Sequence, residues 1–149
     1  LSKLKDAVGD RVILTAGKMH ASGIISEAGE KILTEKDIVD FIDAGADVIL
    51  LPAPGTVPGI TMEYAGKLIK KAHEKGALAM TTIGTSQEGA DEDTIRQIAL
   101  MCKMAGADIH HIGDSGYMGM ALPENITAYS VAIRGKRHTY RRMAMSLLR

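Results

Sequence analysis

Apolar residues along this chain follow two alternating rhythms. Four short runs, "RVILTAG", "DVILLPA", "ALAMTTIG" and "DIHHIG", are almost unbroken, and longer stretches between them bring an apolar residue back every third or fourth position. In the longer stretches Ala65, Leu68, Ile69 and Ala72 keep the spacing of one helix face, as do Ile95, Ile98, Ala99 and Cys102. Ile38, Phe41 and Ile42 make a shorter version. Capping residues stand where each face begins: Thr34 with Asp37 three residues on, Thr61, and Asp91. The short runs do not alternate, which predicts strands covered on both faces, as in a parallel sheet.

The two rhythms repeat as a unit. "FIDAGADVILLPA", "AHEKGALAMTTIG" and "CKMAGADIHHIGD" align so that Gly45, Gly76 and Gly106 fall at one position, 31 and 30 residues apart. Each glycine closes a helix with a left-handed cap before a strand. A looser copy surrounds Gly9 in "AVGDRVILTAGK". Alternating strand and helix predicts a parallel sheet with right-handed crossovers. A (βα)8 barrel takes roughly 250 residues, so four units predict an α/β half-barrel, (βα)4, in one domain over residues 1–149. The rival, an open doubly wound sheet, lacks its Gly-rich dinucleotide fingerprint here. A lone half would expose two sheet edges and its inner strand faces, so a second half-barrel is expected, from a preceding segment of a longer chain or from another subunit.

Composition narrows the functional classes. The 149 residues carry 18 basic and 18 acidic side chains, no Trp, one Phe and four Tyr. Scarce aromatics and a neutral whole argue against nucleic acid. A single Cys102, on an apolar helix face, forms no internal disulfide and is expected to be core; a cytoplasmic location fits. No apolar run is long enough to span a bilayer, so no membrane partner is expected. Six basic and no acidic residues follow Glu124, and "RHTYRRMAMSLLR" reads as an amphipathic closing or subunit-contact helix.

In parallel barrels the chemistry gathers on loops at the C-terminal ends of the strands. The first such loop carries Lys18 and His20. A lysine there can hold a phosphate or carboxylate, or form a Schiff base, although a solvated loop lysine looks the same in sequence. The second, "PAPGTVPGIT", titrates nowhere and reads as a rigid wall. The third offers Thr85 and Ser86 as hydroxyl donors and Glu88 as an acid, base or ligand, against the plain reading of ordinary turn chemistry. The fourth, "HHIGDSGYMGM", combines His110, His111, Asp114, Ser115 and Tyr117 with Gly113, Gly116 and Gly119. Consecutive histidines in a strand face opposite sides, and alternation alone does not say which faces inward. Asp114 stands where it could orient the inward one. The glycines permit a close backbone approach to a ligand. A divalent metal is compatible with these residue types, but their spacing marks out no metal site, and the cofactor is unknown.

The phrases "AGKMHASG", "GADVILLPAPGTVPG", "IGTSQEG", "HHIGDSGYMGM" and "AIRGKRHTYRRMAMS" resemble a set of bacterial (βα)8-barrel proteins of unassigned function. Those proteins are often labelled haloacid-dehalogenase-like or phosphoenolpyruvate-phosphonomutase-like. The resemblance covers nearly the whole chain, aligned to that family's C-terminal half, and implies that the last of these loops follows the eighth strand. Dehalogenase-type hydrolysis needs a D-x-D-x-[TV] loop, and the nearest text, "DEDTI", has Ile95 at its last position and opens a helix; that activity is disfavoured. Residues and resemblance together lead to an expected barrel enzyme acting on a small anionic or phosphorylated metabolite, of lyase or isomerase type. Its catalytic candidates are Lys18, His20, His110, His111 and Asp114. Thr85, Ser86, Glu88, Gly113, Ser115, Gly116, Tyr117 and Gly119 are its binding candidates. The alternatives are a non-catalytic barrel that binds a metabolite or partner, or an inactive fragment.

Overall fold

The structure is a computed structural model, and it describes residues 1–18, 31–84, 86–113 and 121–145. Its order is α1 (Ser2–Val8), β1 (Thr15–Gly17), α2 (Glu35–Asp43), β2 (Val48–Pro52), α3 (Met62–Glu74), β3 (Leu78–Thr82), α4 (Glu92–Ala105), β4 (Ile109–His111) and α5 (Pro123–Ala144). The strands form one parallel sheet in the order β1-β2-β3-β4, the sequential neighbour pairing of a barrel wall.

The helices begin and end where local chemistry dictates. Thr34 and Asp37 form a reciprocal capping box, Thr61 accepts from the Tyr64 N–H, and the Asp91 carboxylate accepts from Asp93 and Thr94. Past their ends, Gly45, Gly76 and Gly106 all take positive φ. The buried residues of α3 are Ala65, Leu68, Ile69 and Ala72, and those of α4 are Ile95, Ile98, Ala99 and Cys102, as their spacing predicts. They pack on the strand residues that alternate toward the helices, Ile49 and Leu51 of β2 and Ala79 and Thr81 of β3, all at most 1% exposed.

The other sheet face departs from expectation. The unbroken apolar runs predict cover on both sides, yet Leu78 on the far face is 48% exposed. Thr15, Val48, Leu78, Met80 and Ile109 line a concavity of about 440 Å³ there, joined by Val12 and Ile13 and rimmed by Lys5, Asp10 and Asp47. In a closed barrel such side chains are packed interior. The run "RVILTAG" also pairs only over Thr15–Gly17, leaving Val12 and Ile13 outside the sheet. The C-terminal helix starts earlier than "RHTYRRMAMSLLR" suggests and is interrupted at Gly135 (φ 77°, ψ 161°); beyond the break, Thr139 packs back on Ser130, their hydroxyl oxygens 3.0 Å apart. Among the described residues no helix is long and apolar enough to cross a membrane.

Candidate active site

Strand alternation and the helix cover together separate the two histidines. His110 turns toward the helices: its Nδ1 lies 3.0 Å from the Tyr129 hydroxyl of α5, and the rings meet edge to face. Burial, followed by the nearby Arg134 guanidinium, lowers its pKa, with Asp108 opposing. Tyr129 is itself buried beside Cys102, and burial raises its hydroxyl well above the ordinary value. Thr81 completes this group, its buried hydroxyl set between the Cys102 thiol and the Tyr129 hydroxyl. Burial likewise raises the Cys102 thiol, which leaves it a packing residue. His110 therefore belongs to the layer behind the sheet.

His111 faces the inner side. The register sets it beside Thr82, and the Thr82 hydroxyl lies 3.1 Å from its Nδ1. The Gly113 backbone N–H also donates to Nδ1, at 3.1 Å. The Ile83 N–H donates to the His111 carbonyl at 2.9 Å, carrying the pairing one step past the strands. Gly113 needs to be glycine twice over: its φ is 87°, and a Cβ would overlap the Ile83 carbonyl oxygen and come within 3.0 Å of the Glu88 Cβ. The space that glycine leaves at this position is thus filled by the chain itself.

Glu88 enters on a short 3₁₀ turn, Ser86–Gly89, after β3. Asn125, at the start of α5, holds that turn by donating from Nδ2 to the carbonyls of Glu88 and Ala90 at 3.0 and 2.9 Å. The Glu88 Oε2 is buried and has no hydrogen-bond partner among the described residues. A buried carboxylate oxygen without a donor is costly, so this oxygen calls for a partner beyond the described residues.

Lys18 sits just past β1 and reaches Asp37, Nζ to Oδ1 3.2 Å. Partial burial raises the Asp37 carboxyl, but the Thr34 amide and hydroxyl and the Lys18 charge outweigh this and hold it below its ordinary value. The lysine thus has a packing partner in the α2 cap that its sequence context does not reveal. His20, Thr85, Asp114, Ser115, Gly116, Tyr117 and Gly119 lie outside the described residues, as does the Ser86 side chain. Among the described residues no three His, Cys, Asp or Glu side chains gather as a metal site.

Sequence reasoning missed Thr82 and Asn125. Thr82 is visible as the polar end of "ALAMTTIG", but its pairing with His111 depends on a register that the sequence does not carry. Asn125 looks like an ordinary first-turn residue.

A parallel βα wall with polar groups at its C-terminal strand ends is the architecture of a (βα)8-barrel segment. The chain belongs to the family described as a domain of unknown function, DUF7916, whose model matches residues 1–149. It is similar to a putative N-acetylmannosamine-6-phosphate 2-epimerase of Haemophilus influenzae, 37% identical over 89 residues, which is 60% of this chain and 33% of that protein. A protein of the same name from Actinobacillus pleuropneumoniae is 36% identical over 88 residues, 59% of this chain and 33% of its own. These matches span only a third of the relatives' length. Among solved structures, a deoxyribose phosphate aldolase from Aeropyrum pernix superposes with a TM-score of 0.64 at 16% identity, over 89% of this chain and 54% of that one. That likeness places the fold as part of a TIM barrel. The comparisons support the barrel and neither the dehalogenase nor the phosphonomutase label.

Proposed function

We propose that this chain supplies half of a (βα)8 barrel that epimerises a phosphorylated sugar, with a second set of four βα units closing the wall. The observation that carries the reading is the arrangement past the ends of β3 and β4: an inward His111 whose Nδ1 is occupied, and Glu88, whose stem lies against Gly113 and whose Oε2 has no partner among the described residues. The relatives' name adds the substrate class, a 2-acetamido sugar phosphate.

The chemistry matches those two groups. In the open-chain form of such a sugar, C2 is adjacent to the C1 aldehyde, so its proton is acidified. Glu88 takes that proton: the C2–H bond breaks, its electron pair forms C1=C2, and negative charge moves to O1. His111 steadies O1 by hydrogen bonding. A second acid on the opposite face, for which Asp114 and His20 are the candidates, protonates C2 and re-forms the aldehyde with inverted configuration, while Glu88 gives its proton up to solvent. We assign the phosphate to the glycine-containing loop that begins at Gly113, with Ser115, Gly116, Tyr117 and Gly119 as its contacts and Lys18, Thr85 and Ser86 at the rim. Asp114 and His20 remain candidates on that same mouth.

The test is proton NMR of N-acetylmannosamine 6-phosphate incubated with the protein in D₂O. The expected result is loss of the C2 proton signal together with appearance of the 2-epimer. Substrate that binds yet keeps its C2 proton would refute the reading.

A further inference from the structure

His111 is surrounded in a way that fixes where its proton sits. A backbone amide can only donate, so the Gly113 N–H, 3.1 Å from Nδ1, requires a lone pair on that nitrogen. The Thr82 hydroxyl lies at the same distance from the same atom. Facing a bare lone pair, it acts as a second donor. A neutral imidazole carries one N–H, so the proton is on Nε2. Nε2 makes no hydrogen bond among the described residues, and the side chain is exposed on the inner face. His110 provides the contrast. Among the described residues its Nδ1 meets only the Tyr129 hydroxyl, which can donate or accept, so that contact does not fix the ring's tautomer.

We infer that His111, when neutral, is held as the Nε2–H tautomer and presents a hydrogen-bond donor, not a base, to the inner face, with Thr82 as its positioning residue. The ligand atom opposite it is then an acceptor, a carbonyl or phosphoryl oxygen, and proton abstraction falls to another group. This inference deepens the proposed reaction and rests on that reading only for the identity of the ligand. The device depends on register: Thr82 and His111 are paired across β3 and β4, and the left-handed Gly113 turns its amide back on the ring.

The experiment is long-range ¹H–¹⁵N NMR of the ¹⁵N-histidine-labelled protein, at a pH where its imidazoles are neutral, with His111→Gln to assign the ring. We expect a single tautomer, with a pyridine-like Nδ1 and a pyrrole-like Nε2. Because the Gly113 amide still requires the lone pair on Nδ1, Thr82→Val should keep the single tautomer but move the Nδ1 resonance downfield as one donor is lost, and Thr82→Ser should restore the original pattern. An Nδ1–H or averaged pattern in the unaltered protein overturns the inference. An unchanged pattern in Thr82→Val overturns the part given to Thr82. A single Nε2–H tautomer in a protein that fails to exchange the C2 proton would refute the proposed reaction while leaving the tautomer in place.

Discussion

The Asp108 carboxylate accepts the backbone N–H of Ala79 at 2.8 Å, clamping the start of β4 to the neighbouring strand. Asp47, at the matching place two repeats earlier, does the same for Leu14 at 2.8 Å. Each aspartate also meets a nitrogen-bearing side chain, His73 Nε2 at 2.7 Å from Asp108 and Lys5 Nζ at 3.5 Å from Asp47. The "GAD" phrase is therefore a joint between units. Asp108→Ala should cost about 1–3 kcal/mol, because it strips a partly buried amide of its acceptor. Asp108→Asn keeps an acceptor and weakens only the part-exposed contact with His73, so it should cost no more than about 1 kcal/mol. Urea unfolding of the two variants checks the order, and equal costs would refute the joint.

His110 and the hydrogen-bonded aspartates, Asp37 and Asp108 among them, set an acid limit on stability. Partial burial raises the Asp108 carboxyl, but the Ala79 amide and His73 outweigh it and hold the pKa below 3.8. Its contribution is complete above 3.8 and fades as pH falls through the lower folded value. His110 has a folded pKa below 6.5, chiefly through burial. As pH drops below 6.5 the unfolded chain takes up a proton that the folded chain resists, so stability declines from there downward. Melting midpoints should fall in two stages on acidification. His110→Gln should remove the upper stage and leave the lower; an unchanged upper stage would clear His110 of the effect.

Gly113→Ala should be among the most damaging single-methyl additions. It forces a side chain into a left-handed conformation and against the backbone carbonyl of Ile83, whose own N–H is tied to the His111 carbonyl. We expect a loss of at least about 2 kcal/mol, together with displacement of the amide that contacts His111. Gly89→Ala is the control: nothing lies within 4 Å of its added Cβ, and the change should stay within about 0.5 kcal/mol. Thermal unfolding of both decides it, and a Gly113→Ala protein as stable as the control would contradict the geometry.

What could be read in advance follows from what is local. Capping at Thr34, Thr61 and Asp91, the left-handed glycines, and the buried faces of α3 and α4 all depend on residues within a few positions of one another, and all were legible. That His110 and His111 face opposite sides was legible too, since alternation is a property of the strand. Which of them meets the helices was not, because that depends on where Tyr129 arrives from α5. The Lys18–Asp37 pair, the Thr82–His111 contact and the Asn125 clamp join residues 19 to 37 positions apart. Gly135 shows a different limit: a glycine within a helical pattern does not say whether the helix runs on or breaks.

The uncovered inner face makes the last prediction. Ile13 is 76% exposed, Val12 47% and Leu78 48%, and they share the concavity with Met80 and Ile109. Contiguous apolar surface of this kind favours association, and the side chains concerned would be interior in a closed barrel. The chain as it stands should therefore gain mass in light scattering as its concentration rises. Leu78→Asp should reverse that gain. Because Leu78 alternates away from the helix-facing core of Ile49, Leu51 and Ala79, the change should leave the melting temperature nearly unaltered. A chain that stays monomeric at every concentration, with Leu78 intact, would mean that this face needs no second half to cover it.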